Sequence, residues 1–397
     1  MRITQNLLQT QFLASLGSLE AGIATSQNQI SSGLSFSTPA QDPAAAGNVN
    51  TYQQLLSQSR QYATNGNAAQ TNLNTEDNAL TQVQNQLTTL RSLALEANSG
   101  TMSQQNLAAI ATQSQQIQQS LLGLANTQNG NGEYIFAGYA SQTQPFTLNA
   151  TGAAYGGDQG QLQLQIAAGQ TVAAGDSGDA VFNQIKNGNG TFTVAANPAN
   201  TGSGLIGATT VADPTAYTGG SYTIEFTAAN GYQVLDASNA VVTAGAYTSG
   251  QAISFAGQQV TLSGQPAAGD SFSVAPSTDQ SVFTTVQNLI DALNGAAAGP
   301  LNSTGLSNAI SGSLNDLDQA SSHLSTVQAG VGGRLNTITT AQSIGTSQQT
   351  QLQQQISSLQ SLDYPGAITS LTSQQTTLSA AMQAYTLTQG LSLFKYL

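Results

Sequence analysis

Apolar residues recur at alternating spacings of three and four along two long stretches of the chain, which predicts long amphipathic helices. The clearest N-terminal series is Leu73, Glu76, Leu80, Val83, Leu87, Leu90, Ala94 and Ala97, and only Glu76 interrupts its apolar character. The sequence "NSG" at 98–100 predicts the end of this helix. A second series then follows, formed by Leu107, Ile110, Ser114, Ile117, Leu121 and Leu124. Upstream, the pattern predicts a further helix, which a phase slip would join to the first, through Val49, Tyr52, Leu56 and Ser59.

The C-terminal stretch has a longer series with a period of seven. Its members are Ile310, Leu317, Leu324, Val331, Ile338, Leu352 and Leu359, with Gly345 in the gap. This series predicts one helix over 301–362, although each of its three central glycines is unfavourable by about 1 kcal/mol. Gly330, Gly332 and Gly333 either allow close backbone approach or break the helix. Because the series keeps its phase across them, we expect a continuous helix.

Both ends of the sequence carry shorter apolar stripes of the same kind. Phe12 and Leu19 alternate with Leu16, Ile23 and Ile30, while Ile368 and Met382 accompany Leu371, Leu378 and Tyr385. Helices this short and this polar are marginal alone in water, so we expect them to pair with each other or with neighbouring copies. The sequence ends on the apolar "LSLFKYL". The candidate assembly residues are therefore Phe12, Leu16, Leu19, Ile23, Ile30, Leu371, Leu378, Met382, Tyr385, Phe394, Tyr396 and Leu397.

The middle of the chain alternates apolar and polar residues in short runs such as "SYTIEFTA" and "GDSFSVAPS", which predicts strands. The fold class is therefore mainly α with a β insertion: an elongated helical coiled-coil bundle, discontinuous in sequence, with a central β-rich domain. We predict five segments: an N-terminal assembly helix (1–40), the first half of the bundle (41–139), the β-rich domain (140–279), the second half of the bundle (280–362) and a C-terminal assembly helix (363–397).

Charge is scarce along the whole chain. Charged residues make up 6% of the sequence, and 6 basic against 18 acidic residues give a net charge of −12. This balance argues against nucleic acid and anionic membrane surfaces as partners. A surface of neutral amides and hydroxyls has little like-charge repulsion, which favours self-association. No apolar run is long enough to span a membrane, and no cleaved signal peptide is expected after Arg2.

Candidate catalytic chemistry is sparse. The chain has no cysteine and one histidine, His323, so we expect no metal site and no cofactor. "GDSGD" at 175–179 is similar to the nucleophile loop of trypsin-like serine proteases, but His323 follows Ser177 and lies in a predicted helix. We interpret the loop as a turn. A secreted hydrolase with its chemistry in 140–279 is the remote alternative.

Four stretches resemble the flagellin family. "QISSGLSFSTPAQDPAAAG" at 29–47 is similar to the N-terminal signature of flagellins and their junction relatives, and "GVGGRLNTI" at 330–338 to the family's Gly-Arg-Asn stretch. "NGEYIFAGYASQTQPF" at 131–146 and the ending "SLFKYL" resemble the hook–filament junction branch, hook-associated protein 3. In that branch an acidic residue is common at the position of Lys395.

The resemblance implies a structural protein of the bacterial flagellum and no enzyme. Copies would form a ring between hook-associated protein 1 and the flagellin filament. The chain would be secreted by flagellar type III export, with a cytoplasmic export chaperone on its C-terminal region. The alternative within the family is a flagellin filament subunit, which the motifs at 131–146 and at the C-terminal end disfavour.

Overall fold

In the computed structural model, residues 2–99, 102–228, 230–298 and 303–390 are described. The described residues of the N-terminal and C-terminal parts form six helices. They are α1 Arg2–Ser32, α2 Pro43–Ala97, α3 Gln104–Ala125, α4 Val282–Ala298, α5 Ser303–Gln360 and α6 Tyr364–Gly390.

Helices α2 and α5 confirm the predicted apolar series, except that Tyr52 and Leu359 are only half-buried. Every member of the 73–97 series is buried, including Glu76. The upstream residues belong to the same helix. Between the two series, the alternation of intervals of three and four residues is interrupted at Gly66 and Ala69, where two intervals of three follow each other. Helix α5 is continuous through the glycines because Val331, 0% exposed, keeps the buried face in register. A Cβ atom added at Gly330, Gly332 or Gly333 would have no described atom within 4 Å, so packing within this chain does not require them.

In α3 the predicted series is wrong in its second half. Ile117 and Leu124 are only half-buried, whereas Gln118 and Ala125 are buried. An α-helix has 3.6 residues per turn and drifts about 20° per heptad from a strict period of seven. After about two turns, the buried positions are therefore shifted by one residue, to Gln118 and Ala125.

Helices α2 and α5 run antiparallel, joined by pairs of polar side chains. Gln84 Nε2 donates to Ser321 Oγ at 2.6 Å, and Gln328 Nε2 donates to Thr81 Oγ1 at 3.1 Å. Arg91 and Asp318 form an exposed ion pair at 2.7 Å. These pairs flank the buried series and fix the relative position of the two helices along their length.

Strands fill the region between α3 and α4. They are β1 Phe146–Asn149, β2 Gly152–Tyr155, β3 Gln163–Ala167, β4 Gln170–Ala173, β5 Ile185–Lys186, β6 Phe192–Ala196, β7 Leu205–Val211, β8 Tyr222–Ala228, β9 Gly231–Asp236, β10 Val241–Ala246, β11 Ala252–Phe255, β12 Gln258–Ser263, β13 Ser271–Pro276 and β14 Asp279–Gln280. All pairs are antiparallel. The largest sheet has the order β10-β9-β8-β13-β6 and the next β11-β12-β7, while β1-β2, β3-β4 and β14-β5 are two-stranded.

The two larger sheets share one hydrophobic core. Its buried members are Phe192, Ile224, Phe226, Val234, Tyr247, Ile253, Phe255, Val260, Leu262, Phe272 and Val274. Ile224 and Phe226 of "SYTIEFTA" and Phe272 and Val274 of "GDSFSVAPS" are inward-facing positions of the predicted runs, so the strand prediction for these two runs is confirmed. All members of the core come from 192–274, which gives this segment a core of its own.

The first part of the β-rich region packs on a helix instead. Phe146 in β1 lies 5.2 Å, between ring centroids, from Phe283 in α4, and 5.4 Å from Phe182 in a short π-helical segment, Asp179–Asn183. Phe136 completes this aromatic cluster through an edge-on contact with Phe182. Phe136, Phe146 and Phe182 therefore form a cluster that packs against α4 through Phe283.

Two compact units divide the chain. The first, here called the terminal unit, comprises Met1–Thr64 and Ala341–Leu397, and the second, the central unit, comprises Asn65–Thr340. The predicted fold class, mainly α with an inserted β-rich region, is confirmed, and the five predicted segment boundaries stay predictions. Within the described ranges, no helix combines the length and hydrophobicity that a membrane crossing requires.

Candidate assembly surface

Helices α1 and α6 of the terminal unit pair with each other in antiparallel orientation. The Phe12 ring stacks on the Tyr385 ring, and Ser26 Oγ donates to Gln374 Oε1 at 3.2 Å. Leu34 forms an antiparallel bridge with Ser361, close to the start of α6. Residue numbers along the contact therefore increase in α1 as they decrease in α6. The expected pairing of the two terminal helices is present within one chain.

The signature at 29–47 forms the end of α1, the turn that follows it and the start of α2. Gly33 has a φ of +72°, which favours glycine, and a Cβ there would lie 2.9 Å from Tyr364 Oη. Leu362 N–H donates to the Gly33 carbonyl at 3.0 Å. Asp42 Oδ1 then accepts from the Ala45 N–H at 2.9 Å, which caps α2 ahead of Pro43 in its first turn. The family-like motif therefore has a structural explanation in the turn and the cap.

Most of the predicted assembly residues lie along the contact between α1 and α6. The half-buried ones are Phe12, Leu16, Leu19, Ile23, Ile30, Leu371, Leu378 and Tyr385. Phe394, Tyr396 and Leu397 lie outside the described residues. A pair of helices buries one face of each, so even these contact residues keep part of their apolar surface exposed.

The second series predicted for α6 is exposed in the structure and does not form the α1 contact. Ile368 and Met382 are 52% and 54% exposed, and the half-buried positions are Gln374 and Ala381 instead. Helix α1 lies on the side of α6 that Gln374 and Ala381 share with Leu371, Leu378 and Tyr385. Met382 is consequently an unburied apolar side chain, and its place in an assembly interface stays a prediction.

The spacing of apolar residues did not predict a polar contact in the middle of the α1–α6 pair. Ser26 is 8% exposed and bonds Gln374, and a Cβ at Gly22 would lie 3.6 Å from the same glutamine's Nε2. The signal was present in the spacing: Ser26 follows Phe12 and Leu19 at intervals of seven, and Gln374 precedes Ala381 by seven. A polar pair at a heptad position specifies register, at some cost in stability.

The outward faces of this unit are apolar in places and carry little charge. Large side chains that are more than 40% exposed here are Leu7, Leu13, Leu55, Ile344, Tyr364, Ile368, Met382 and Leu387. The sequence of α6, 364–390, contains no charged residue. Thr369, Thr372 and Thr376 donate their hydroxyl hydrogens to carbonyl groups one turn back, which removes those donors from water. The helix therefore offers a surface that costs little to desolvate.

The residues of the "GDSGD" loop hold the loop together. Ser177 Oγ accepts from the Ala180 N–H at 3.3 Å, and His323 Nε2 lies 2.8 Å from the Ala180 carbonyl oxygen. Asp176 pairs with Arg334, while Asp179 accepts from Gln184 Nε2 at 2.9 Å. The loop is thus engaged by α5 and by its own backbone. Among the described residues, no group of three or more His, Cys, Asp or Glu side chains could hold a metal ion.

Comparison with known proteins gives matches along the chain. Residues 3–141 match the family model for the bacterial flagellin N-terminal helical region, and 195–276 match the D2-like domain of flagellar hook-associated protein 1. The crystal structure of Xanthomonas campestris FlgL is similar with a TM-score of 0.72 and 33% identity, over 77% of this chain and 99% of that one. The chain belongs to the FlgL family, flagellar hook-associated protein 3.

Two curated members of the hook-associated protein 3 family show how far the likeness extends. The Escherichia coli protein is 26% identical over 395 residues, which covers 100% of this chain and 99% of that protein. The Salmonella typhimurium protein is 33% identical over 185 residues, 47% of this chain and 58% of that protein. The likeness therefore includes the β-rich insertion as well as both helical ends.

Proposed function

We propose that copies of this chain form the ring that joins the flagellar hook, through hook-associated protein 1, to the flagellin filament. As a member of the hook-associated protein 3 family, the chain is a structural component of the bacterial flagellum. In this proposal α1 and α6 supply the surfaces by which copies contact each other and their neighbours. Catalysis has no part in it, and Ser177 and His323 serve to hold a loop.

The main support for the proposal is that the pairing of α1 with α6 leaves apolar side chains exposed on α6, which has no charged residue. Met382, Ile368 and Leu387 are 54%, 52% and 70% exposed on α6. Burial of apolar surface contributes roughly 25 cal/mol per Å², and no charge on this helix opposes it. Assembly would bury these side chains together with the half-buried stripe of Phe12, Leu16 and Leu378.

The same features support the proposed export route. An exposed apolar surface is an aggregation hazard before assembly, which favours a cytoplasmic chaperone that covers the C-terminal region. Secretion would use the flagellar type III pathway without a cleaved signal. The likeness of 195–276 to a domain model of hook-associated protein 1 supports a shared outer module in two adjacent proteins of the junction.

Replacement of one exposed side chain tests the assembly surface. In a strain that lacks this gene, we expect the Met382→Asp variant to be secreted with an unchanged melting temperature and to fail to support filaments. Gln383→Asp is the matched control, because it adds the same charge about 100° further round the helix. Normal filaments with Met382→Asp would contradict the proposed surface.

The copy number in purified flagella separates the two roles within the family. A junction ring requires a small, fixed number of copies at the hook end, whereas a filament subunit is present in thousands along the filament. Quantitative mass spectrometry against the hook proteins gives this ratio. A ratio in the thousands would favour the filament subunit.

A further inference from the structure

Three charged side chains from three distant parts of the sequence meet inside the central unit. Glu76 comes from α2, Asp176 from the segment that follows β4, and Arg334 from α5. Arg334 Nη1 donates to Asp176 Oδ1 at 3.1 Å, and Nη2 donates to Oδ2 of the same carboxylate. The side chains of Arg334 and Asp176 are 18% and 14% exposed, so this two-point ion pair is largely withdrawn from water.

Glu76 is the unusual member of this cluster. It is 1% exposed and occupies a position where every other member of the series is apolar. Neither of its carboxyl oxygens makes a hydrogen bond of good geometry with a described residue, although the side chain and backbone of Asp176 lie beside it. Burial raises the pKa of Glu76 well above its ordinary value, and the Asp176 charge raises it further, while Arg334 opposes the shift. A buried acid without hydrogen bonds at this position costs stability.

The surroundings of Glu76 allow a proton to enter and leave. A cavity of about 240 Å³ lies against it, and the other titratable groups that line this cavity are Asp176, Glu133, Tyr134 and Tyr139. Tyr139 is 68% exposed. On α5, His323 touches the same segment at the Ala180 carbonyl oxygen, which only accepts, so the histidine donates whether it is neutral or protonated.

We propose that Glu76, Asp176 and Arg334 form a proton-dependent latch, which fastens residues 174–178 to α2 and α5 while Glu76 is protonated. With Glu76 protonated, the cluster is neutral, since one carboxylate faces one guanidinium. When Glu76 loses its proton to water in the cavity, two carboxylates compete for Arg334 and repel each other. The segment then loosens from the helices.

The sign of the pH dependence follows from the raised pKa of Glu76. The closed latch holds the proton more strongly than the open one, so closure is strongest below the ordinary pKa of glutamate. It weakens as the pH rises from that value toward the raised one, and the opening equilibrium increases about tenfold per pH unit in this window. Acidic surroundings tighten the latch and alkaline surroundings release it.

Hydrogen exchange of the full chain tests the latch. We would measure amide protection factors in peptides that cover 172–182 between pH 5 and pH 8.5, each corrected for the intrinsic exchange rate at that pH. We expect protection in the natural protein to fall at least about tenfold across this range. In Glu76→Gln, where the side chain keeps its shape and has no proton to lose, protection should stay high and flat.

Two further variants separate a latch from simple packing. Glu133→Gln, a change in the same cavity, should keep the pH profile of the natural protein. Asp176→Asn removes the opposing carboxylate but leaves Glu76 buried, so the fall in protection with pH should be smaller than in the natural protein, even if Glu76→Gln does not fold. Protection that is flat in the natural protein, or a fall that persists unchanged in both Glu76→Gln and Asp176→Asn, would overturn the proposal.

Discussion

Phe12 and Tyr385 lie face to face, with ring centroids 4.8 Å apart and an angle of 5° between the ring planes. Gln9 Nε2 donates to the Tyr385 hydroxyl oxygen at 3.3 Å, one turn earlier in α1. This contact joins residues near opposite ends of the sequence and sets the register of the α1–α6 pair. Stacked aromatic pairs contribute about 0.5–1.5 kcal/mol beyond the area that they bury.

Tyr385→Ala should therefore loosen α1 from α6. We expect faster amide exchange in peptides of both helices, because the variant loses the stack and the Gln9 contact together. Met382→Ala is the control, since its side chain faces away from α1 and its loss should leave exchange in α1 unchanged. Equal effects of the two substitutions would show that the α1-facing side of α6 is wrongly assigned.

The helices of this fold could be predicted from the sequence because the spacing of apolar residues matches the period of an α-helix. The period-seven series of α5 kept its phase through three glycines, and the structure has one helix there. The failures occur where the drift of the helix from a strict period of seven brings a polar or small residue to the buried face. Gln118 in α3 and Ala381 in α6 are such residues, and the apolar pattern predicted their neighbours Ile117 and Met382 instead.

A charge in the buried series of α5 should unfold the helical pairing. Leu317 is 1% exposed, so Leu317→Asp should cost more than about 3 kcal/mol of the free energy of unfolding. Ala329→Asp adds the same charge on the exposed side of the same helix and should change stability little. Chemical denaturation followed by circular dichroism measures both, and equal stabilities for the two variants would refute the assigned face.

Substitution of the three glycines of α5 can be tested by two measurements, the melting temperature of the protein and the motility of the cells. Since an added Cβ meets no described atom, replacing Gly330, Gly332 and Gly333 by alanine should stabilise the chain, by about 0.5–1 kcal/mol per residue. A rise in melting temperature measures this. If the triple variant were less stable, α5 would have to approach another part of its own chain at these positions. Motility of a strain carrying it then tests whether close approach between copies requires the glycines.

The β-rich insertion should contain one independently folding part. A fragment of residues 190–277 includes the whole core shared by the two larger sheets, so we expect it to unfold cooperatively and to give dispersed amide resonances. A fragment of residues 140–189 should stay unfolded, because Phe146 needs Phe283 from α4. Cooperative folding of 140–189 alone would contradict this dependence on the helix.

Sequence reasoning located the strands of 222–276 but could not divide the insertion in this way. Alternation along "SYTIEFTA" identifies a strand with one buried face, yet it does not say what covers that face. The partner of Phe146 lies in α4, 137 positions away, and no local pattern connects the two. The Glu76 cluster was hidden for the same reason, since its three members come from three segments and only the interruption of an apolar series pointed to it.

The pairing of α1 with α6 has a consequence for the order of folding. Contacts such as Phe12–Tyr385 close a loop of more than 370 positions, so they cannot form until nearly the whole chain is free to fold. Residues 65–340, in contrast, have their own packed interior and depend less on the C-terminal helix. A chain that is still being synthesised, or still passing through a narrow channel, therefore has α1 without its partner. The terminal unit can therefore fold completely only after α6 has become available to pair with α1.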